Sequence, residues 1–101
     1  MTKIQFKASG IPRVEFDLSV CAWYIRFKNA KVARTVSDDK PGVVAAIDLD
    51  ERNQVIGVEL LGVKEFSLNM LRKIRSIDTS RVDFDRARFV HASNRDSVPT
   101  A

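Results

Sequence analysis

The sequence predicts an α+β domain, a small antiparallel β-sheet of four to five hairpin-linked strands covered on one face by one amphipathic helix. Short runs up to Leu61 alternate apolar and polar residues and are separated by turn residues, whereas residues 66–77 switch to helical spacing. A length of 101 residues, with 45% hydrophobic and 30% charged side chains, is that of one ordinary globular domain.

KIQFK at residues 3–7 alternates with Ile4 and Phe6 on one face, and ASGIPR supplies Gly10 and Pro12 for a turn. VEFDL resumes the alternation with Val14, Phe16 and Leu18. VCAWYIRFK is the strongest strand signal: Cys21, Trp23, Ile25 and Phe27 share one face, and Tyr24, Arg26 and Lys28 the other. Asn29-Ala30 is a break short enough for a tight hairpin into KVARTVS, whose mixed pattern suits an edge strand. DDKPG at residues 38–42 is a turn. After it, Val43, Ala45, Ile47 and Leu49 point inward, as do Ile56, Val58 and Leu60 in the next strand.

In FSLNMLRKIRSI, Leu68, Met70, Leu71, Ile74 and Ile77 fall within about half of a helical wheel, with Asn69, Arg72, Lys73, Arg75 and Ser76 outside it. Ser67 is placed to cap this helix, and Phe66 to pack on Leu71 as a hydrophobic staple. The domain is expected over residues 1–80. Residues 81–101 read as a tail, partly disordered or docked on the domain or on a partner subunit through Val82, Phe84 and Phe89.

The formal charge is +4 and the pI about 9.6. Residues 1–65 hold ten basic and nine acidic side chains, and residues 66–101 hold seven and four, so the excess sits late in the chain. One cysteine excludes an internal disulfide. No run reaches the roughly 18 apolar residues that span a bilayer, and MTKIQFKASG has no apolar signal-peptide core. A cytoplasmic protein without membrane contact is expected. The core is small enough that a homodimer is expected to supplement it.

Asp48, Asp50 and Glu59 match the outer frame of a calcium loop, with Asp48 first, Asp50 third and Glu59 twelfth. The inner positions do not: Arg52 stands where an oxygen ligand is wanted and Asn53 where glycine makes the turn. Asp50 to Gln54 therefore reads as a hairpin turn with Asn53 at positive φ, and no metal is expected. His91, the single histidine, has no second histidine or nearby cysteine to build a site. Cys21 reads as a small buried hydrophobe. Arg72, Lys73 and Arg75 form a basic helix face that could contact phosphates, against the plain reading of a solvated face near a helix C-terminus. Tyr24 and Arg26 on the outer sheet face are further contact candidates, although the paired aromatics of an RNA-binding sheet are missing.

FDLSVCAWYIRF, KVARTVSDDKPGVVAAIDLD and QVIGVELLGV together resemble the small bacterial family known as domain of unknown function 2283. Its pattern runs Y-D-x-E-A-D-A-L-Y-I-R, then V-A-x-T, then G-V-x-x-D-x-D-x-x-G-x-x-x-G-I-E-I-L. Phe16, Asp17, Tyr24, Ile25, Arg26, Val32, Ala33, Thr35, Gly42, Asp48, Asp50, Gly57 and Glu59 fall on matching positions. Ser19 and Cys21 stand where the pattern has acids, and Asn53 where it has the turn glycine. The resemblance covers residues 16–63 and implies a compact antiparallel sheet with a helix and no established activity. It also implies a role as a small companion of toxin-like proteins. With no nucleophile, base and orienting group to assemble, the expected function is a non-enzymatic, cofactor-free interaction module whose partners are itself and a cognate protein such as a toxin. The alternative is a nucleic-acid-binding regulator using the basic helix and tail.

Overall fold

Alternation along the chain becomes a layered β structure. The computed structural model describes residues 5–38, 44–67, 69–74 and 76–91. Its elements are β1 (Phe6–Gly10), β2 (Arg13–Asp17), β3 (Ala22–Arg26), β4 (Arg34–Ser37), β5 (Val44–Leu49), β6 (Val55–Leu61), α1 (Asn69–Arg72), β7 (Ile77–Val82) and β8 (Arg88–His91). Six strands form one mixed sheet in the order β4-β5-β6-β3-β2-β8, and β1 and β7 form a separate parallel pair. The fold is therefore mostly β.

Three of the expected hairpins form, β2–β3, β4–β5 and β5–β6. In the last, Asn53 has φ 61° and donates its amide to the Asp50 carbonyl, so the positive-φ turn is as read. Inward residues follow the alternation: Val14, Ile25, Ile47, Leu49 and Val58 have no exposed surface. Trp23 is 8% exposed, and its indole N–H donates to the Val63 carbonyl at 2.8 Å. Phe16 and Phe66 stack on either side of it, at 5.4 and 4.9 Å between centroids.

Other expectations need correction. The β3–β4 hairpin at Asn29-Ala30 does not form, because the Phe27 and Lys28 amides both donate to the Ile56 carbonyl and tie the chain to β6 beyond the end of β3. Residues 27–33 then carry the chain past β6 and β5 to the far edge. The sheet is mixed, not antiparallel, since β8 runs parallel to β2. Thus the segment read as a tail from residue 81 holds the end of β7 and all of β8. Leu18 is no longer on the strand: it lies in the 3-10 turn Leu18–Val20 and is 56% exposed. Cys21 caps that turn at φ 51° and is half-buried, so it is not an inward strand residue.

The expected covering helix shrinks to the single turn of α1. Around it the amides of Met70, Lys73, Ile74 and Ile77 donate to carbonyls three residues earlier, the 3-10 pattern. The buried residues Leu71, Ile74 and Ile77 recur at every third position, which suits three residues per turn better than 3.6. Phe66 stacks on Trp23. This segment and the β1–β7 pair, with β1 against β6, together cover the inner sheet face. The expectations for Ile4, the turn residues 39–42, Val43, Leu68, Arg75 and residues 92–101 lie outside the described residues.

Candidate functional site on the outer sheet face

The face turned away from the core carries the polar half of each strand's alternation. Strand registers bring Thr35, Asp48, Gly57, Arg26, Arg13 and Arg88 into one cross-strand row. The adjacent row holds Ser37, Ala46, Glu59, Tyr24, Glu15 and Val90. Residues from distant parts of the chain become neighbours only through this register.

Gly57 is the centre of the arrangement. It has no side chain, so the Tyr24 ring lies flat across β6 and buries the glycine backbone. The Tyr24 hydroxyl thereby reaches past β6 and donates to Asp48 on β5 at 2.9 Å. The second Asp48 oxygen accepts from the Thr35 hydroxyl at 2.6 Å, which extends the chain of bonds to the edge strand β4. On the other side, the Arg26 guanidinium sits 4.9 Å from the Tyr24 ring centroid, a cation–π contact. Arg26 also donates to both carboxylate oxygens of Glu15, at 3.2 and 3.4 Å, and Arg13 approaches Glu15 to 3.6 Å. Glu15 has only 4% of its side chain exposed, which two flanking guanidiniums make tolerable.

Burial, and then the hydrogen bond to anionic Asp48, push the Tyr24 phenol well above its ordinary pKa. The Glu15 hydrogen bond raises the Arg26 guanidinium further still. At one end of the face, the Asp50 carboxylate accepts from the Arg52 and Gln54 amides at 2.8 and 2.9 Å and pairs with Lys28. The Lys28 hydrogen bond is the main cause that holds Asp50 down to about 2, with the turn amides adding to it. At the opposite end Val44, Leu61 and Ala22 lie side by side, and Val44 and Leu61 are 50% and 37% exposed.

The structure brings together two of the residues singled out from the sequence, Tyr24 and Arg26. It does not gather Arg72 and Lys73 with them. Arg72 folds back over the Phe84 ring at 4.8 Å, Lys73 is exposed, and Arg75 is outside the described residues. Asp48, Asp50 and Glu59 have separate environments: Asp48 serves Tyr24 and Thr35, Asp50 its turn and Lys28, and Glu59 is exposed. Among the described residues no group of three or more His, Cys, Asp or Glu converges as a metal site. His91 packs edge-on against Phe16 at 5.0 Å. Among the described residues no helix is long and apolar enough to cross a membrane. Sequence reasoning missed Glu15, Arg13 and Gly57 as members of the site. The outward phase that Glu15 shares with Arg13, two residues earlier in β2, was a usable signal, but its partner Arg26 needed the register.

The family model described as "Protein of unknown function (DUF2283)" matches residues 13–64. The chain belongs to this family. The match begins at the first residue of β2 and ends just past β6, so it contains every residue of the Thr35–Asp48–Tyr24–Arg26–Glu15–Arg13 network. Five of the positions that carry the resemblance in sequence, Tyr24, Arg26, Thr35, Asp48 and Gly57, thus meet in one assembly of hydrogen bonds and ring contacts. No curated protein and no solved structure gives a significant match.

Proposed function

We propose that this chain is a non-enzymatic module that binds another polypeptide through the outer face of its six-stranded sheet, in an antitoxin-like role in the cytoplasm and without a cofactor. The observation that carries this reading is the fixed Tyr24–Asp48 and Arg26–Glu15 network lying beside the exposed pair Val44 and Leu61. Tyrosine and arginine are the side chains most enriched where binding energy concentrates. Held in place beforehand, they lose little freedom on binding. An exposed apolar pair rimmed by polar groups adds the desolvating part of such a surface.

The same network suits acid–base chemistry poorly. Asp48 has both oxygens engaged, Glu15 is clasped by two arginines, and the Tyr24 phenol is shifted away from neutrality. The family resemblance suggests a toxin-like protein as partner. A nucleic-acid regulator has less support, because the element meant to contact phosphates is one turn long and its Arg72 is packed on Phe84.

The test is affinity purification of the tagged chain from its native cells. One polypeptide should co-purify in stoichiometric yield and be lost with Leu61→Arg while circular dichroism stays unchanged. Recovery of nucleic acid that resists physiological salt, with no polypeptide, would favour the regulator instead.

A further inference from the structure

We infer that the outer face pairs with the same face of a second copy of this chain, about a two-fold axis parallel to the strands and midway between β6 and β3. This rests on the reading of that face as a protein-binding surface and names its occupant. The observation is the order of charges along one row. From β4 to β8 it runs Thr35, Asp48, Gly57, Arg26, Arg13, Arg88, an acid on one half and three adjacent arginines on the other. Glu59 adds an exposed acid on β6 in the next row. Glu15 offsets Arg13 and Arg26, and Asp17 lies at the far end of β2, bound to Ser19. Like charges directly opposite on neighbouring strands are unfavourable, so an acidic surface laid over the arginines is stabilising.

The geometry supplies that surface from the chain itself. β5 is second from one edge of the sheet and β2 is second from the other. An axis parallel to the strands therefore lays β5 over the partner's β2, and β4 over the partner's β8. Asp48 then faces the partner's Arg13, Thr35 faces the partner's Arg88, and symmetry repeats each contact. Asp48 accepts two hydrogen bonds, and a carboxylate offers about four acceptor sites, so it can take a guanidinium as well. An axis perpendicular to the strands and passing through this row would stack each strand on its own copy and arginine on arginine. In the chosen arrangement Leu61 meets the partner's Ala22, and Val44 lies over the partner's Asp17. Six strands about 4.8 Å apart and about 17 Å long, stacked on a copy, would bury on the order of 1,000 Å² in total, the lower bound of a specific interface.

The experiment is sedimentation velocity on the full chain and two charge variants, with circular dichroism confirming that each is folded. Arg13→Glu/Arg88→Glu places acids on both halves of the row, and Thr35→Arg/Asp48→Arg places bases on both. The unaltered chain should be dimeric at micromolar concentration. Each variant alone should be monomeric, its dimer weakened at least roughly tenfold. An equimolar mixture of the two should dimerise again, because acid then faces base wherever two altered positions meet, Arg13→Glu against Asp48→Arg and Arg88→Glu against Thr35→Arg. If Arg13→Glu fails to fold beside Glu15, Arg88→Glu mixed with Thr35→Arg tests the same exchange. An unaltered chain that stays monomeric at submillimolar concentration overturns the inference, as does a dimer that both variants retain or a mixture that does not associate. If that monomer still captures a different polypeptide in a Leu61-dependent way, only the second copy is removed as occupant. If it captures none, the protein-binding reading falls too.

Discussion

Replacing Gly57 by alanine tests whether the Tyr24 ring is what the glycine exists to accommodate. A Cβ at position 57 would lie closer than 3.0 Å to the Tyr24 hydroxyl oxygen, Cζ and Cε2, so the ring must leave β6. Leaving breaks its hydrogen bond to the Asp48 carboxylate, and bonds to charged groups contribute about 1.5–3 kcal/mol. Against this, alanine within a strand is better than glycine by about 0.5–1 kcal/mol through backbone entropy. The net effect of Gly57→Ala should be a loss of about 1–2 kcal/mol. For a chain of 101 residues, each kcal/mol moves the Tm by about 4–8 °C. Urea unfolding followed by Trp23 fluorescence, at one fixed protein concentration, measures it. The same substitution in a Tyr24→Ala background has no ring to displace, so its sign should reverse and it should stabilise slightly. Equal destabilisation in both backgrounds would refute the account of Gly57.

Trp23→Ala should destabilise by roughly 3–5 kcal/mol, since the indole is buried between Phe16 and Phe66 and bonded to Val63. Native emission should accordingly be blue-shifted and resist iodide quenching, and a red, freely quenched signal would contradict the placement. Asp50 has a folded pKa of about 2, below its ordinary 3.8, so its stabilising contribution is present above pH ~4 and is lost as pH falls through 2. Asp50→Asn should flatten the acid side of the Tm–pH curve, with Asp17 and Asp78, both also lowered, accounting for what slope remains. Tyr24 is the single tyrosine, so absorbance at alkaline pH reports it alone. Its raised phenol pKa means stability is full below pH ~10 and declines above it, and tyrosinate should appear only with unfolding. Millimolar calcium should leave the Tm unchanged, because Asp48, Asp50 and Glu59 do not converge; a rise of several degrees abolished by Asp50→Ala would show a metal site.

What the sequence determined by itself is what local period and turn chemistry can encode. Alternation marked the inward residues from Val14 to Leu60 apart from Leu18 and Cys21, and Asp50 to Asn53 announced the β5–β6 turn. The motif order also placed the chain in its family. Those signals depend on a residue and its near neighbours. Tertiary structure alone decided the strand pairs that no hairpin joins. The Phe27 and Lys28 amides bind Ile56, far along the chain, and this contact sends β4 to the distant edge in place of a hairpin on β3. The pairing of β8 with β2 likewise recruits Arg88 from a segment with no sustained period. The helix expected over residues 66–77 gave way because Leu71, Ile74 and Ile77 also satisfy a three-residue period, and burial under the sheet selects between two periods that sequence leaves nearly equal. The outer-face network shows the same division. Each of its side chains was visibly polar and outward, but the bonds from Thr35 and Tyr24 to Asp48, and from Arg26 to Glu15, exist only because the register sets five strands abreast. Between strands that no turn joins, such as β3 and β6 or β2 and β8, only long-range pairing sets which residues stand opposite one another.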